Sequence, residues 1–157
     1  MSFVVNFKDS NSNARVGVIK TPSGDIETPV FMPVCTNGTP KALGIDSISS
    51  IGFDTIVVNA YHLFLRPGHK NIETFGGLHS FLNWKGNILT DSGGFQIFSL
   101  ASSAKIGDEG VYFKSFHDGA TNLITPELSI EIQEALDSDL MMILDDCPKS
   151  DSGYKRI

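Results

Sequence analysis

Cys35 and Cys147 are the only two cysteines in the chain, and they share no CxxC spacing. Two thiols so far apart in sequence cannot ligate zinc alone, and in a cytosolic chain they do not imply a disulfide. Long apolar runs are also missing. Nothing approaches the ~20 residues of a membrane span, and the N-terminus lacks the basic-then-apolar pattern of a signal peptide. These absences lead to the expectation of a soluble, cytoplasmic protein with no membrane contact. There is no like-charge block and no low-complexity segment. With 41% apolar and 19% charged residues, the 157-residue chain can bury a core rather than stay disordered. Broad positive charge is lacking as well: the net charge is −6, and no basic run exceeds Lys155-Arg156. A wide face for gripping phosphates is therefore not expected within these residues.

What the chain does have is centred on Ile88-Leu89-Thr90-Asp91-Ser92-Gly93-Gly94-Phe95-Gln96. A short apolar run ends on an acid and is followed by two glycines, which permit a tight turn and close approach of a flat ligand to the main chain. α/β folds place their chemistry at such carboxyl ends of parallel strands. Taken alone, the stretch reads equally as a strand–turn junction in which Asp91 caps a helix or loop.

The same punctuation recurs along the chain. Val4, Val5 and Phe7, then residues 14–20, alternate as strands around a turn at 9–13, and a second turn at 21–24 leads to Ile26. Residues 29–34 are apolar on both faces, as in a strand buried on both sides. Asp46 is placed to N-cap a short helix through Ile51, with Ile45 and Ile48 facing inward. Residues 55–58 are a β-branched strand stopping at Asn59, and residues 76–84 read as a loop anchored by Phe75, Leu78 and Phe81. Residues 87–90 form a third core strand. Val111, Phe113 and Ser115 oppose Thr121 and Leu123 across Asp118-Gly119, the pattern of a β-hairpin. Thr125-Pro126-Glu127 starts a helix whose Leu128, Ile132, Ala135 and Leu136 form one buried stripe, and Asp137-Ser138-Asp139 ends it. Residues 140–144 read as an apolar strand ending on Asp145 and Asp146, with Asp146 the more solvated of the pair. This organisation argues for a (β/α) barrel or a doubly wound sheet, and three or four strands cannot close an eight-stranded barrel.

Three strand ends thus carry Asn59, Asp91 and Asp145. Two carboxylates and an amide above glycine-rich backbone suit a planar nitrogen heterocycle, since carboxylates accept from ring N–H and amino groups. Phe95 is placed to stack on such a ring. One acid serves as general base and the other as anchor if their environments set their pKa values apart. Magnesium on paired oxygens is the weaker reading. Asn59 also reads as a strand-end residue satisfying backbone, and His62 and His79 as packing or surface histidines.

Six motifs make a more specific pattern when they occur in this order: Thr28-Pro29-Val30-Phe31-Met32-Pro33-Val34, residues 59–63, Leu65-Arg66-Pro67-Gly68, Gly76-Gly77-Leu78-His79, residues 90–96 and Leu144-Asp145-Asp146-Cys147. Together they resemble the N-terminal half of the tRNA-guanine transglycosylases, the queuine tRNA-ribosyltransferase family, from about Val16 onward. The resemblance implies an α/β fold: the N-terminal part of a (β/α)8 TIM barrel, with an N-terminal β-hairpin region and a β-hairpin insertion after the third core strand. On that reading residues 1–157 are one barrel portion, cut short at Ile157. The implied activity is exchange of guanine at the tRNA wobble position for a 7-deazaguanine base, in queuosine biosynthesis. By position, Asp91 matches the general acid/base and Ser92, Gly93, Gly94 and Phe95 match the base-pocket loop. Asp145 matches the acid that recognises the heterocycle edge, and Asn59 a residue near the ribose.

The resemblance further implies zinc, a homodimer and a tRNA partner. No residue here matches the family's nucleophilic aspartate, and its three-cysteine, one-histidine zinc site and most of its basic surface are expected beyond Ile157. The chain alone is therefore expected to be inactive. Cys35 and Ala60 depart from the Gly and Thr more usual in the family, but neither touches a proposed catalytic group. Gly93-Gly94 resembles the bacterial and eukaryotic branches more than the archaeal one, and Cys147 resembles the bacterial type, which uses an aminomethyl precursor base. The alternatives are a non-catalytic family-like subunit and a deazapurine-binding module.

Overall fold

A computed structural model of the protein describes residues 2–100 and 104–148. The chain begins with β1 (Ser2–Lys8), β2 (Arg15–Thr21) and β3 (Gly24–Thr28), a three-stranded antiparallel sheet in that order. Asp9 holds the first turn by accepting from the Asn11 N–H at 3.2 Å and the Ser12 hydroxyl at 2.7 Å. Ile26 is the sheet's buried anchor, whereas all of β1 is exposed.

β4 (Val34–Cys35) opens the central sheet and α1 (Ile45–Ile51) follows. Next come β5 (Thr55–Val58), the short helices α2 (Ala60–Leu65), α3 (His69–Thr74) and α4 (Gly77–Leu82), and β6 (Asn87–Thr90). After α5 (Gly94–Leu100), the strands β7 (Lys105–Gly107), β8 (Gly110–Lys114) and β9 (Thr121–Ile124) form a second antiparallel sheet. α6 (Pro126–Leu136) then leads to β10 (Leu140–Met141).

The central sheet runs β10-β6-β5-β4, with every pair parallel. The order proceeds one way, without the reversal of a doubly wound sheet. Ile56 pairs with Ile88, and the row through Cys35, Val58 and Thr90 lies on the same face; all five are fully buried. Against them pack Ile48, Leu63, Ile72, Leu78, Ile132 and Leu136 from the helices. The opposite face carries Val34, Val57 and Leu89, and Val34 is exposed there. At the amino end of the sheet, the buried Asp139 carboxylate accepts from the Ile88 N–H at 2.8 Å and meets His79 Nε2 at 3.2 Å. His79 is thus a structural tie. Among the described residues no helix is long and apolar enough to cross a membrane.

The mixed α/β character follows expectation, but several local readings are corrected. Residues 29–34 are not a doubly buried strand: only Val34–Cys35 pairs, and Phe31 is 73% exposed. Pro29 and Pro33 have no N–H to give a ladder, which the apolar pattern conceals. Residues 76–84 contain helix α4 rather than a loop, because Gly76 and Asn83 take left-handed backbone at its two ends. Gly44, not Asp46, stands at the N-cap of α1, and Asp46 falls in the first turn, where the helix dipole favours an acid. The expected hairpin of β8 and β9 has a third strand, β7, along its edge. Residues 140–144 pair only through Leu140–Met141, and Met141, Met142 and Ile143 are exposed. The helix start at Thr125 is as read: its hydroxyl accepts from the Leu128 N–H at 3.1 Å.

Candidate active site

Strand alternation aims the site. Asn59 and Asp91 lie two residues past Val57 and Leu89, so they point to the sheet face away from the helices. The ladder reaches this level, because the Asp91 N–H donates to the Val58 carbonyl at 3.1 Å. The Asp91 carboxylate is closely held. Its Oδ1 accepts from the Ala60 N–H at 3.0 Å, which corrects the expectation that Ala60 touches no proposed catalytic group, although the contact is made by backbone. Its Oδ2 accepts from Gln96 Nε2 at 3.0 Å and from the Asn59 side-chain amide. Burial pushes its pKa above the ordinary aspartate value, opposed by hydrogen bonds from Asn59, Ala60, Gln96 and the Gly93 N–H, all of which favour the ion.

The two glycines do different work. Gly93 has φ +82°, the left-handed turn that carries the chain off β6, and a Cβ there would lie 3.0 Å from the Tyr61 Cβ. Gly94 serves close approach: a Cβ would fall 2.2 Å from the Asp145 carbonyl oxygen and 2.6 Å from its Oδ1. The Asp145 segment can therefore lie directly on the main chain of α5.

Asp145 stands after an irregular stretch, not at the immediate strand end. Its Oδ1 accepts from the Ser92 hydroxyl, and the Cys147 thiol donates to its Oδ2 at 3.0 Å. Burial acts to raise its pKa, but the hydrogen bonds from Cys147, Ser92 and its own backbone outweigh it, and the carboxyl lies below the ordinary value. The same contact pushes the Cys147 thiol up to about 11, so it is a neutral donor at physiological pH. Asp145 and Asp146 are both exposed, which corrects the expectation that Asp146 is the solvated member.

Asp91, Ser92, Gly93, Phe95 and Asp145 line one cleft of about 330 Å³ with Gln96, Met142 and Ile143. Asn59 joins through its bond to Asp91, and Gly94 lies beneath Asp145, on an adjoining cavity of about 310 Å³. Phe95 is 57% exposed. The arrangement offers one carboxylate biased toward holding a proton and one biased toward the ion, over a glycine floor beside an aromatic ring.

A family model described as "Queuine tRNA-ribosyltransferase" matches residues 9–157. The chain belongs to the queuine tRNA-ribosyltransferase family. Bacterial proteins named "Queuine tRNA-ribosyltransferase" are close relatives. That of Thermoanaerobacter sp. (strain X514) is 55% identical over 150 residues, covering 96% of this chain and 40% of the relative. That of Halothermothrix orenii is 49% identical over 154 residues, covering 98% and 41%. That of Fusobacterium nucleatum is 52% identical over 150 residues, covering 94% and 40%. The chain thus spans about 40% of the length of these relatives. The match begins at residue 9, earlier than the motifs alone imply.

Within this family member, sequence reasoning assigns no role to Gln96, which donates to Asp91 from the first turn of α5. A carboxamide one helical turn past a strand-end acid is the signal that marks it. His62, read as a packing histidine, is close enough to Asp91 to feel its charge. Burial lowers the His62 pKa, the Asp91 charge raises it and His117 lowers it further, and the outcome is below the ordinary value. Ser129 and Gln133, buried behind the site on α6, carry no sequence signal because they look like ordinary polar helix positions.

Proposed function

We propose that the whole protein exchanges guanine at the wobble position of tRNA for a 7-deazaguanine base, as a pentosyltransferase of queuosine biosynthesis. The observation that carries this reading is the pair of cleft acids with opposite pKa tendencies, Asp91 upward and Asp145 downward, in a chain of this family. Asp91 is the proton acceptor for the ring nitrogen of the incoming base and returns that proton to departing guanine in the reverse direction. Asp145, kept ionised, accepts from the N–H and amino edge of the heterocycle. Ser92 holds the Asp145 carboxylate in place and Phe95 stacks on the ring. Asn59 orients Asp91 and faces the ribose.

The covalent half of the double displacement needs an aspartate attacking the ribose anomeric carbon. By motif no residue of the sequence matches that aspartate, so the isolated chain is expected to lack exchange activity. The fold proposed for the whole protein is a (β/α)8 barrel with the β7–β9 sheet as an insertion. Its support is the one-way parallel order and the apolar face of Val34, Val57 and Leu89, of which Val34 is exposed and the other two half-buried, and which a closed barrel would bury. Cytoplasmic location, a homodimer and the tRNA partner belong to the same reading. Zinc belongs to the same reading, with its ligands expected outside this chain; among the described residues no group of three or more His, Cys, Asp or Glu is placed to hold a metal ion. No step is assigned to it.

Incubating the whole protein with tRNA and radiolabelled guanine tests the proposal. Label should enter tRNA and be competed out by an aminomethyl-7-deazaguanine. No incorporation under conditions where the protein is folded would overturn the reading.

A further inference from the structure

Between the central sheet and α6 lies a set of buried polar groups that the chemistry above does not use. Gln133 is fully buried, and its side-chain amide engages one residue twice. Its Nε2 donates to the Met142 carbonyl at 2.8 Å and its Oε1 accepts from the Met142 N–H at 3.0 Å. This copies the double bond by which one strand grips another, just where β10 has ended. The same Oε1 accepts from the Thr90 hydroxyl at 2.8 Å, and Nε2 also reaches the Ser129 carbonyl at 3.2 Å. Ser129, one turn earlier on α6 and likewise buried, donates its hydroxyl to the Ser92 carbonyl at 3.1 Å.

Thr90 and Ser92 flank Asp91, and Met142 lies three residues before Asp145. The direct ladder between the two strands runs out at the Met142 N–H to Thr90 carbonyl bond, 3.2 Å long. At that last rung Gln133 shares the Met142 N–H with the Thr90 carbonyl and adds a bond of its own to the Met142 carbonyl. We infer that Gln133, with Ser129 as its second arm, is a positioning residue that fixes the spacing of Asp91 and Asp145 by clamping both backbones to one face of α6. Satisfying buried backbone groups requires only some partner; here a single side chain joins the segments carrying both acids. The inference rests on the function proposed above and adds to it a residue that touches no substrate.

The test uses the whole protein and guanine exchange into tRNA. Gln133→Leu should lower kcat/KM for the base on the order of a hundredfold, the scale of a one-ångström misplacement. The KM for the base should rise and the KM for tRNA should stay unchanged. A merely structural role would lower the active fraction and leave both KM values alone. Because that variant risks misfolding, Gln133→Glu supplies an independent readout. When protonated, its carboxyl can still donate to the Met142 carbonyl; when ionised, it cannot, and no charged partner stands among these groups, so burial raises its pKa. Its activity relative to wild type should hold in mildly acidic buffer and fall as pH rises. A Glu variant that tracks wild type at every pH, or a folded Leu variant with wild-type kcat/KM for the base, overturns the inference. A wild-type protein that exchanges no guanine overturns the functional reading itself, and with it this role for Gln133.

Discussion

Asp91 closes a regular parallel strand and accepts from two carboxamides and a backbone N–H, whereas Asp145 stands on an irregular segment and accepts from one hydroxyl and one thiol. More donors surround Asp91, yet its pKa is the one raised. Its burial is deeper, and desolvation of the ion outweighs hydrogen bonds that would otherwise depress it. Asp145 is open to solvent, so fewer bonds suffice to keep it ionised. Depth, not donor count, separates the acid biased toward holding a proton from the one biased toward the ion in this cleft.

The comparison breaks most sharply at Asp91. In the whole protein, Asp91→Asn should lower turnover by about a thousandfold, within the range that a positioned general base contributes, and leave tRNA binding intact in a filter assay. Near-normal exchange would remove Asp91 from proton transfer. Asp145→Ala should instead weaken affinity for the base by ~1–3 kcal/mol, the cost of leaving donors of the bound heterocycle unpaired. Competition by free base would measure this, and an unchanged inhibition constant would count against the assigned role.

The pH dependence sharpens the contrast. The acid limb of kcat/KM should lie above the ordinary aspartate range, since Asp91 must lose its proton to act as base. Asn59→Ala removes a donor to the ion and should move that limb higher still; a shift downward would contradict the geometry. For stability the signs oppose. The Asp91 contribution is fully present below the ordinary carboxylate pKa and is lost as pH rises through the raised folded value. The Asp145 contribution is present above that ordinary value and is lost as pH falls through the lowered one. The smallest effect is expected beneath the site. Tyr61, whose hydroxyl has no hydrogen-bond partner among the described residues, should tolerate replacement by Phe with a Tm equal to or slightly above wild type.

Much of the fold is legible locally. β-branching marks β5, Thr125-Pro126 marks the start of α6, and Asp91 stands at a strand end before two glycines whatever else surrounds it. Apolar runs mislead where burial depends on what lies opposite: residues 29–34 and 140–144 have core composition but stand largely exposed here. Gln133 is the clearest illegible case. It adjoins Ile132 on a helix, and nothing in its neighbours distinguishes a solvent-facing glutamine from one inserted between two strand ends.

The sequence by itself determined which groups stand at the ends of the strands, because strand propensity, capping and turn chemistry act over a few residues. It also carried the family through the order of its motifs. Only the tertiary structure decided which acid is deep and which is open, that Gln96 and Asn59 converge on Asp91, and that Gln133 ties the two acid segments together. Those outcomes rest on contacts such as the one between Asn59 and Asp91, 32 residues apart in the chain. Desolvation and hydrogen bonding at that range depend on how the elements pack, which local sequence patterns do not encode.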